Sequence, residues 1–354
     1  MLKRLIGWNA LVMIILILAS IIQLSPDKIQ NTALIRPNDH KMLTPEVFHR
    51  PLYGTLLTFP EWYLVFSPEE FALFTRNHPA QDFPFFLEIW QYWNGYSKNV
   101  TLIRPLHAKT AQDHVMLVVI GVSTTVEYFF KGWYEHTFGT LSYWISGRVQ
   151  EDDYAASVAS NYVTFIKKEP WFMFDFWGAF KGLWNHNAMI GHGMFRKFER
   201  KYLLSTEYLT KALYGKIIAW GSHSVYGVES ENTAVLITPR LASLPNTMHY
   251  VTKGSLAIVL APRLDDFYPA ATQLALAGAK FEEIAGNDSF ISFSLIQNDD
   301  WINPCHQADL IYRQTILTKE SQSRFVMISS VSDLSDALLC FHRHHIVLEH
   351  VFDY

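Results

Sequence analysis

The sequence predicts an α+β protein held at a membrane by its N-terminus. Three observations carry this expectation: a charge-free segment long enough to cross a bilayer, a low-charge middle region dense in aromatic residues, and a C-terminal third that alternates strand and helix patterns. Of the 354 residues, 49% are hydrophobic, 15% aromatic and only 18% charged. Soluble domains carry roughly 25% charged residues, so the balance leans toward lipid. A net charge of −4 gives no basic footprint, and nucleic acid is not an expected partner.

Residues 5–24 carry no charge. At about 1.5 Å per residue they reach roughly 30 Å, the thickness of the hydrocarbon core. Lys3 and Arg4 precede the segment, Trp8 sits at interfacial depth, and residues 20–25 offer no small-x-small cleavage site. The expectation is an uncleaved, single-pass anchor over 1–25, with a short cationic N-tail inside and most of the chain across the membrane. Residues 26–55 contain four prolines and read as a tether.

A mostly helical, membrane-proximal domain is expected over 56–228. Ser67, Pro68 and Glu70 form a capping-box pattern that starts a helix, with Phe66 and Phe71 as a staple. The aromatic stretch 83–93 is helix-like. Residues 115–126 read as a buried core helix in which Glu127 and Lys131 pair at i, i+4, with a second membrane span as the alternative. Trp171, Phe174, Trp177 and Trp184 precede Arg196, Lys197, Arg200 and Lys201. Aromatics at headgroup level followed by cations are what an interfacial helix on anionic lipid requires. An aromatic core followed by a solvated basic helix has the same signature. From Ser205, the stripe Leu209, Leu213, Ile217 and Trp220 predicts a packed helix ending near Gly221.

The last domain, 229–354, is expected to be ferredoxin-like, a split βαβ fold. Residues 255–261 read as a buried strand, Asp265 caps a helix that Gly278 ends, and 279–285 form a hairpin with the strand around Ile291, Phe293 and Leu295 across the turn 286–288. Phe325–Ser329 is a strand, Ser332 caps a helix through Phe341, and Ile346–Phe352 closes the sheet. The polar stretch 297–323 reads as an insertion.

The strings TFPEWYLVFSPEEFA (58–72), RKFERKYLLSTEYLTKALYGK (196–216), FEEIAGN (281–287) and LEHVFDY (348–354) resemble a family of uncharacterised bacterial membrane-anchored proteins. The resemblance covers most of the chain beyond the anchor. It implies a bacterial envelope setting, with the anchor in the inner membrane and the bulk of the chain periplasmic, and transfers no catalytic residue.

No chemistry-bearing motif is present: the chain lacks a nucleophile elbow, a P-loop, a dinucleotide-binding glycine pattern and any Glu-x-x-His in the helical region. Two cysteines, Cys305 and Cys340, are too few for a disulfide framework and leave the compartment open. His342, His345 and His350 are the nearest approach to a metal set, without a closed ligand set, so no metal or other cofactor is expected. The leading function is a non-enzymatic envelope protein whose helices face membrane lipid or a membrane protein partner. The alternatives are an enzyme on a lipid or other apolar substrate, with polar handles among Glu127, His186 and His192, and a small-ligand sensor using the C-terminal domain.

Overall fold

The computed structural model describes residues 42–51, 53–104, 111–185, 192–222, 231–238 and 250–353. The expected anchor at 5–24 and His186 lie outside these residues. The described chain mixes helices with two four-stranded antiparallel sheets, so it is α+β. Its described residues form two compact units: a helical one from 62–90 and 119–222, and a second from 42–61, 91–118 and 231–353.

In the second unit, β1 (Asn232–Thr238), β2 (Tyr250–Lys253), β3 (Leu256–Pro262) and β4 (Lys280–Ile284) form one sheet in the order β2-β3-β1-β4. The second sheet holds β5 (Phe290–Asn298), β6 (Asp309–Thr315), β7 (Gln322–Ser330) and β8 (Leu348–Phe352) in the order β6-β7-β5-β8. A helix links the third and fourth strands of each: α8 (Phe267–Leu276) and α9 (Leu334–Arg343), numbered after the helices described below. The two sheets are therefore one arrangement built twice. The register slips at matching places, between Leu236 and Ile237 against β4 and between Ser294 and Leu295 against β8. Both helices also end alike. Gly278 and His345 take φ of 82° and 56°, and the N–H groups of Ala279 and Ile346 reach back to the carbonyls of Leu274 and Phe341. This is the bonding of a Schellman stop. Phe267, Leu274, Phe293, Met327, Leu334 and Phe341 meet in one core shared by both halves.

Several local expectations give way here. The strands β4 and β5 belong to different sheets, so the expected hairpin across residues 286–288 does not form; a single bridge joins Ile284 and Asn287. The turn signal was real, and burial of Phe281 and Ile284 against β1 and of Ile291, Phe293 and Leu295 against β7 and β8 decided the pairing. The stretch 297–323, expected as an insertion, contains β6, and the domain gains a further strand, β1, ahead of the expected strand 255–261. The end of the supposed tether is docked: Glu283 accepts hydrogen bonds from the backbone N–H groups of Leu43 and Thr44, and Arg50 N–H bonds the Ala285 carbonyl at 2.8 Å. Cys305 and Cys340 are joined in a disulfide, with Cα atoms 5.9 Å apart, that ties the β5–β6 loop to α9.

Asp353 is buried beside Arg263, at 3.5 Å, and burial drives its carboxyl up to about 7 against the opposing pull of that guanidinium. A carboxyl whose folded value exceeds its ordinary 3.8 binds more protons folded than unfolded between those two pH values. Its stabilising contribution is complete below about pH 4 and is lost as pH rises toward 7. Asp353→Asn is expected to flatten that part of the stability profile, measured as the urea midpoint of unfolding between pH 4 and 7.

The helices are α1 (Gly54–Thr75), α2 (Phe85–Ile103), α3 (Ala111–Tyr134), α4 (Thr140–Ser146), α5 (Gln150–Ile166), α6 (Phe176–Asn185) and α7 (Met194–Ser222). A π-helical turn, Glu135–Gly139, joins α3 to α4. No helix starts at Ser67, because α1 runs through both Pro60 and Pro68. Pro68 removes one internal hydrogen bond. Burial of Trp62, Tyr63 and Phe66, and the bond from Ser67 Oγ to the buried Glu88 carboxylate at 2.7 Å, outweigh that loss.

Candidate functional site

Antiparallel packing of the α3–α4 rod against α7 sets a series of charges face to face. Lys211 reaches Glu127 at 2.8 Å, and Lys131 and Lys211 flank Glu207 at 3.1 and 3.0 Å. One turn further, Arg200 clamps Glu135 with two hydrogen bonds of 2.7 and 3.0 Å and also binds its neighbour Glu199. Beyond that, Arg196 bonds Asp152 at 2.8 Å, the Gly139 carbonyl and Ser142 Oγ. Positions 127, 131, 135 and 142 on one rod meet 211, 207, 200 and 196 on the other, each series falling on one face at helical spacing. A side chain at Gly139 would collide with the Glu135 carboxylate, so a bare backbone is needed where Arg200 and Arg196 close in.

The electrostatics follow from burial. Burial alone would raise the Glu207 carboxyl, yet Lys131 and Lys211 more than cancel it and lower it to about 2. Burial opposes the charge on Arg200 and is overcome by Glu135 and Glu199, which hold it above its ordinary value. Lys211 is likewise pulled upward by Glu127 and Glu207 against burial.

Beside this ladder lies a cavity of about 130 Å³. Apolar groups such as Leu64, Phe71, Ala155, Ala159 and Leu204 form much of its wall, and Ser67, Tyr128, Glu127, Lys131 and Glu207 reach it as well. Ser67 belongs to a short chain of hydroxyls, since Tyr63 OH and Ser67 Oγ both donate to Glu88 Oε2 and Ser67 lies 3.0 Å from Tyr128 OH.

The outer surface of the same helices is apolar. Phe130, Trp133, Phe138, Leu141, Trp144 and Ile145 project from the α3–α4 rod, with Trp133 53% and Trp144 82% exposed. On α7 the exposed residues include Phe195, Phe198, Tyr202, Leu209, Leu213 and Ile217, with Leu213 at 65%. The helix His114–Ser146 is long and apolar enough to cross a membrane, and only 28% of its most apolar stretch is buried.

The structure redistributes the residues singled out from sequence. Trp177 and Trp184 are exposed, while Trp171 and Phe174 are half-buried, Trp171 stacked on Tyr214 and Phe174 against Tyr162, Phe165 and Phe176. Arg196, Arg200 and Lys201 are buried, with Lys201 bonded to the Leu183 carbonyl and 3.9 Å from Glu151; Lys197 is half-buried. Three of the four cations expected at lipid headgroups are therefore committed to interior partners. Glu127 and Lys131 do not pair with each other, because each faces an opposite charge on α7. The stripe Leu209, Leu213 and Ile217, expected to pack, is exposed. His342 and His345 lie on the surface and His350 is buried against Phe352; no group of three His, Cys, Asp or Glu suited to a metal occurs among the described residues. His192 is exposed and outside the cavity.

No family model matches the chain, and neither the curated proteins nor the solved structures compared with it give a match. Within the helical unit, paired charges are buried between the α3–α4 rod and α7, while large apolar residues are exposed on the outer faces of the same helices.

Proposed function

We propose that this chain is a membrane protein of the bacterial envelope, non-enzymatic, whose helical unit meets lipid through the outer faces of α3–α4 and α7. One observation carries the proposal: the inversion of the usual arrangement, with paired charges buried between helices and large aromatics exposed around them. In water, exposed aromatics on adjoining helices are costly; in lipid they are favourable, and interior charges survive there by pairing. The 33-residue rod His114–Ser146 measures about 50 Å, more than the roughly 30 Å core, so it can cross with tilt or with its ends in the headgroups. The anchor at 5–24 adds a second attachment. Burial of Arg196, Arg200 and Lys201 makes apolar contact, not attraction to anionic lipid, the main source of affinity.

The disulfide supports placing the second unit on the oxidising, periplasmic side. Its strand order, read from the other edge as 4-1-3-2 in each sheet, supports a ferredoxin-like reading, from which the helix-free β5–β6 connection departs. That supports a binding role for the repeated unit, toward a ligand or a membrane protein partner. The enzymatic reading, on a lipid or other apolar substrate, draws on the cavity beside Glu127.

A chain beginning at Asn38 tests the proposal. It is expected to stay in the membrane pellet after alkaline carbonate washing, to resist high salt, and to have its tryptophan fluorescence quenched by brominated lipid, through Trp133 and Trp144. Release by carbonate together with absence of quenching would show that the apolar face meets something other than lipid.

A further inference from the structure

The cavity does not end at its apolar wall. A shallower pocket, formed by Arg76, Arg148, Asp153, Ser157, Ser160 and Asn161 with Ala156, shares Arg148 and Ala156 with it, so the two adjoin within the helical unit. Ser157, Ser160 and Asn161 stand on one face of α5 at i, i+3 and i+4 spacing. Arg76 comes from the end of α1, is exposed, and donates to Ser160 Oγ at 3.1 Å; no carboxylate among the described residues forms an ion pair with it. Arg148 donates to Asp153, whose side chain is 66% exposed, and to the Thr75 carbonyl. Two guanidiniums face one solvated carboxylate, with the Ser157 hydroxyl and the Asn161 amide beside them, while the Ser160 hydroxyl accepts from Arg76 and donates to the Ala156 carbonyl at 2.9 Å. That surplus of donors is the chemistry of an oxyanion site. On the other side of Ala156, the small side chains of Ala155 and Ala159 open onto Leu64, Phe71 and Leu204. A volume near 130 Å³ resembles that of cavities accepting about six carbons.

We propose that the two pockets form one binding site for a short-chain organic anion, a monoalkyl phosphate or a carboxylate, whose oxyanion sits on Arg76, Arg148 and the α5 hydroxyls and whose chain enters the cavity. The proposal accounts for a charged pocket and an apolar cavity that share Arg148 and Ala156 as lining. It does not depend on how the outer face meets lipid, so the lipid proposal can fail without it.

Calorimetric titration of the full-length protein in a nonionic detergent tests this with four probes: hexyl phosphate, hexanoate, hexanol and inorganic phosphate. Hexyl phosphate is expected to bind most tightly, hexanoate more weakly, and hexanol and phosphate each at least about tenfold more weakly than hexyl phosphate, since each has only half of the contacts. Arg76→Gln, at an exposed position where folding is not at stake, is expected to weaken both organic anions about tenfold and leave hexanol unchanged. Ala159→Leu, with folding followed by circular dichroism, is expected to weaken every probe with a chain and spare phosphate; if it unfolds, Ala155→Val serves the same purpose. Phosphate binding as tightly as hexyl phosphate, equal binding of hexyl phosphate by the wild-type protein and Arg76→Gln, or no binding of any probe would overturn the proposal.

Discussion

Arg200→Met is expected to destabilise the helical unit by about 3–5 kcal/mol, the cost of removing one member of a buried ion pair. Its guanidinium is almost fully buried and makes two bonds to Glu135 and two to Glu199. Removing it leaves the buried Glu135 carboxylate without its ion-pair partner, while Glu199 keeps Arg196 at 3.5 Å and the Ser142 hydroxyl, and the loss reflects uncompensated buried charge more than the worth of the pair. The double change Arg200→Met with Glu135→Gln should therefore recover part of the stability lost by the single change. A double-mutant cycle on unfolding in detergent measures this, because the coupling energy isolates the pair. A cost below about 1 kcal/mol, the value typical of exposed pairs, would mean that water reaches Arg200 and that the interior is not the low-dielectric one described here.

Breaking the Cys305–Cys340 bond is expected to cost the second unit about 3–4 kcal/mol. The two residues are 35 apart in sequence, and closing a loop of that size removes an amount of chain entropy between the roughly 3 and 4.7 kcal/mol given for loops of 15 and 100 residues. The bond also fixes the β5–β6 loop on α9, so its loss loosens the packing of Ala308 and Trp301 against the shared core. Cys305→Ser with Cys340→Ser should lower the urea midpoint of that unit while leaving the helical unit unchanged. The same pair reports location: in protein isolated from membranes without reductant, thiol labelling should find both cysteines blocked. Two freely reactive thiols would remove the support for an oxidising compartment.

Local patterns in the sequence were enough wherever one element buried one face against its own neighbours. The helix Phe267–Leu276, its stop at Gly278, the helix before Phe341 and the strands around Val259, Val326 and Val351 all follow from spacing and end signals, and all are present. The α+β class follows from them. The turn at residues 286–288 was equally legible, yet which strands it served depended on partners tens of residues away: β1 for β4, and β7 and β8 for β5. The capping box at Ser67 failed for the same reason, because buried aromatics carried α1 through two prolines that a local rule treats as a boundary. The disulfide could not be deduced from two cysteines with no characteristic spacing.

For the candidate site the sequence determined the residue types and the structure decided their direction. Charges at 127, 131 and 135 and at 196, 199, 200, 207 and 211 recur at helical spacing in a chain otherwise poor in charge, a pattern that does signal facing helices. An isolated helix cannot say whether its charged stripe looks toward solvent or toward another helix, since both stripes have the same period. Antiparallel packing of α7 on the α3–α4 rod turned the charges inward, where each finds an opposite partner, and thereby turned Trp133, Trp144, Phe198 and Leu213 outward. Composition alone leans toward an apolar surface; which residues form that surface was decided only when pairing of the buried charges fixed the rotation of each helix.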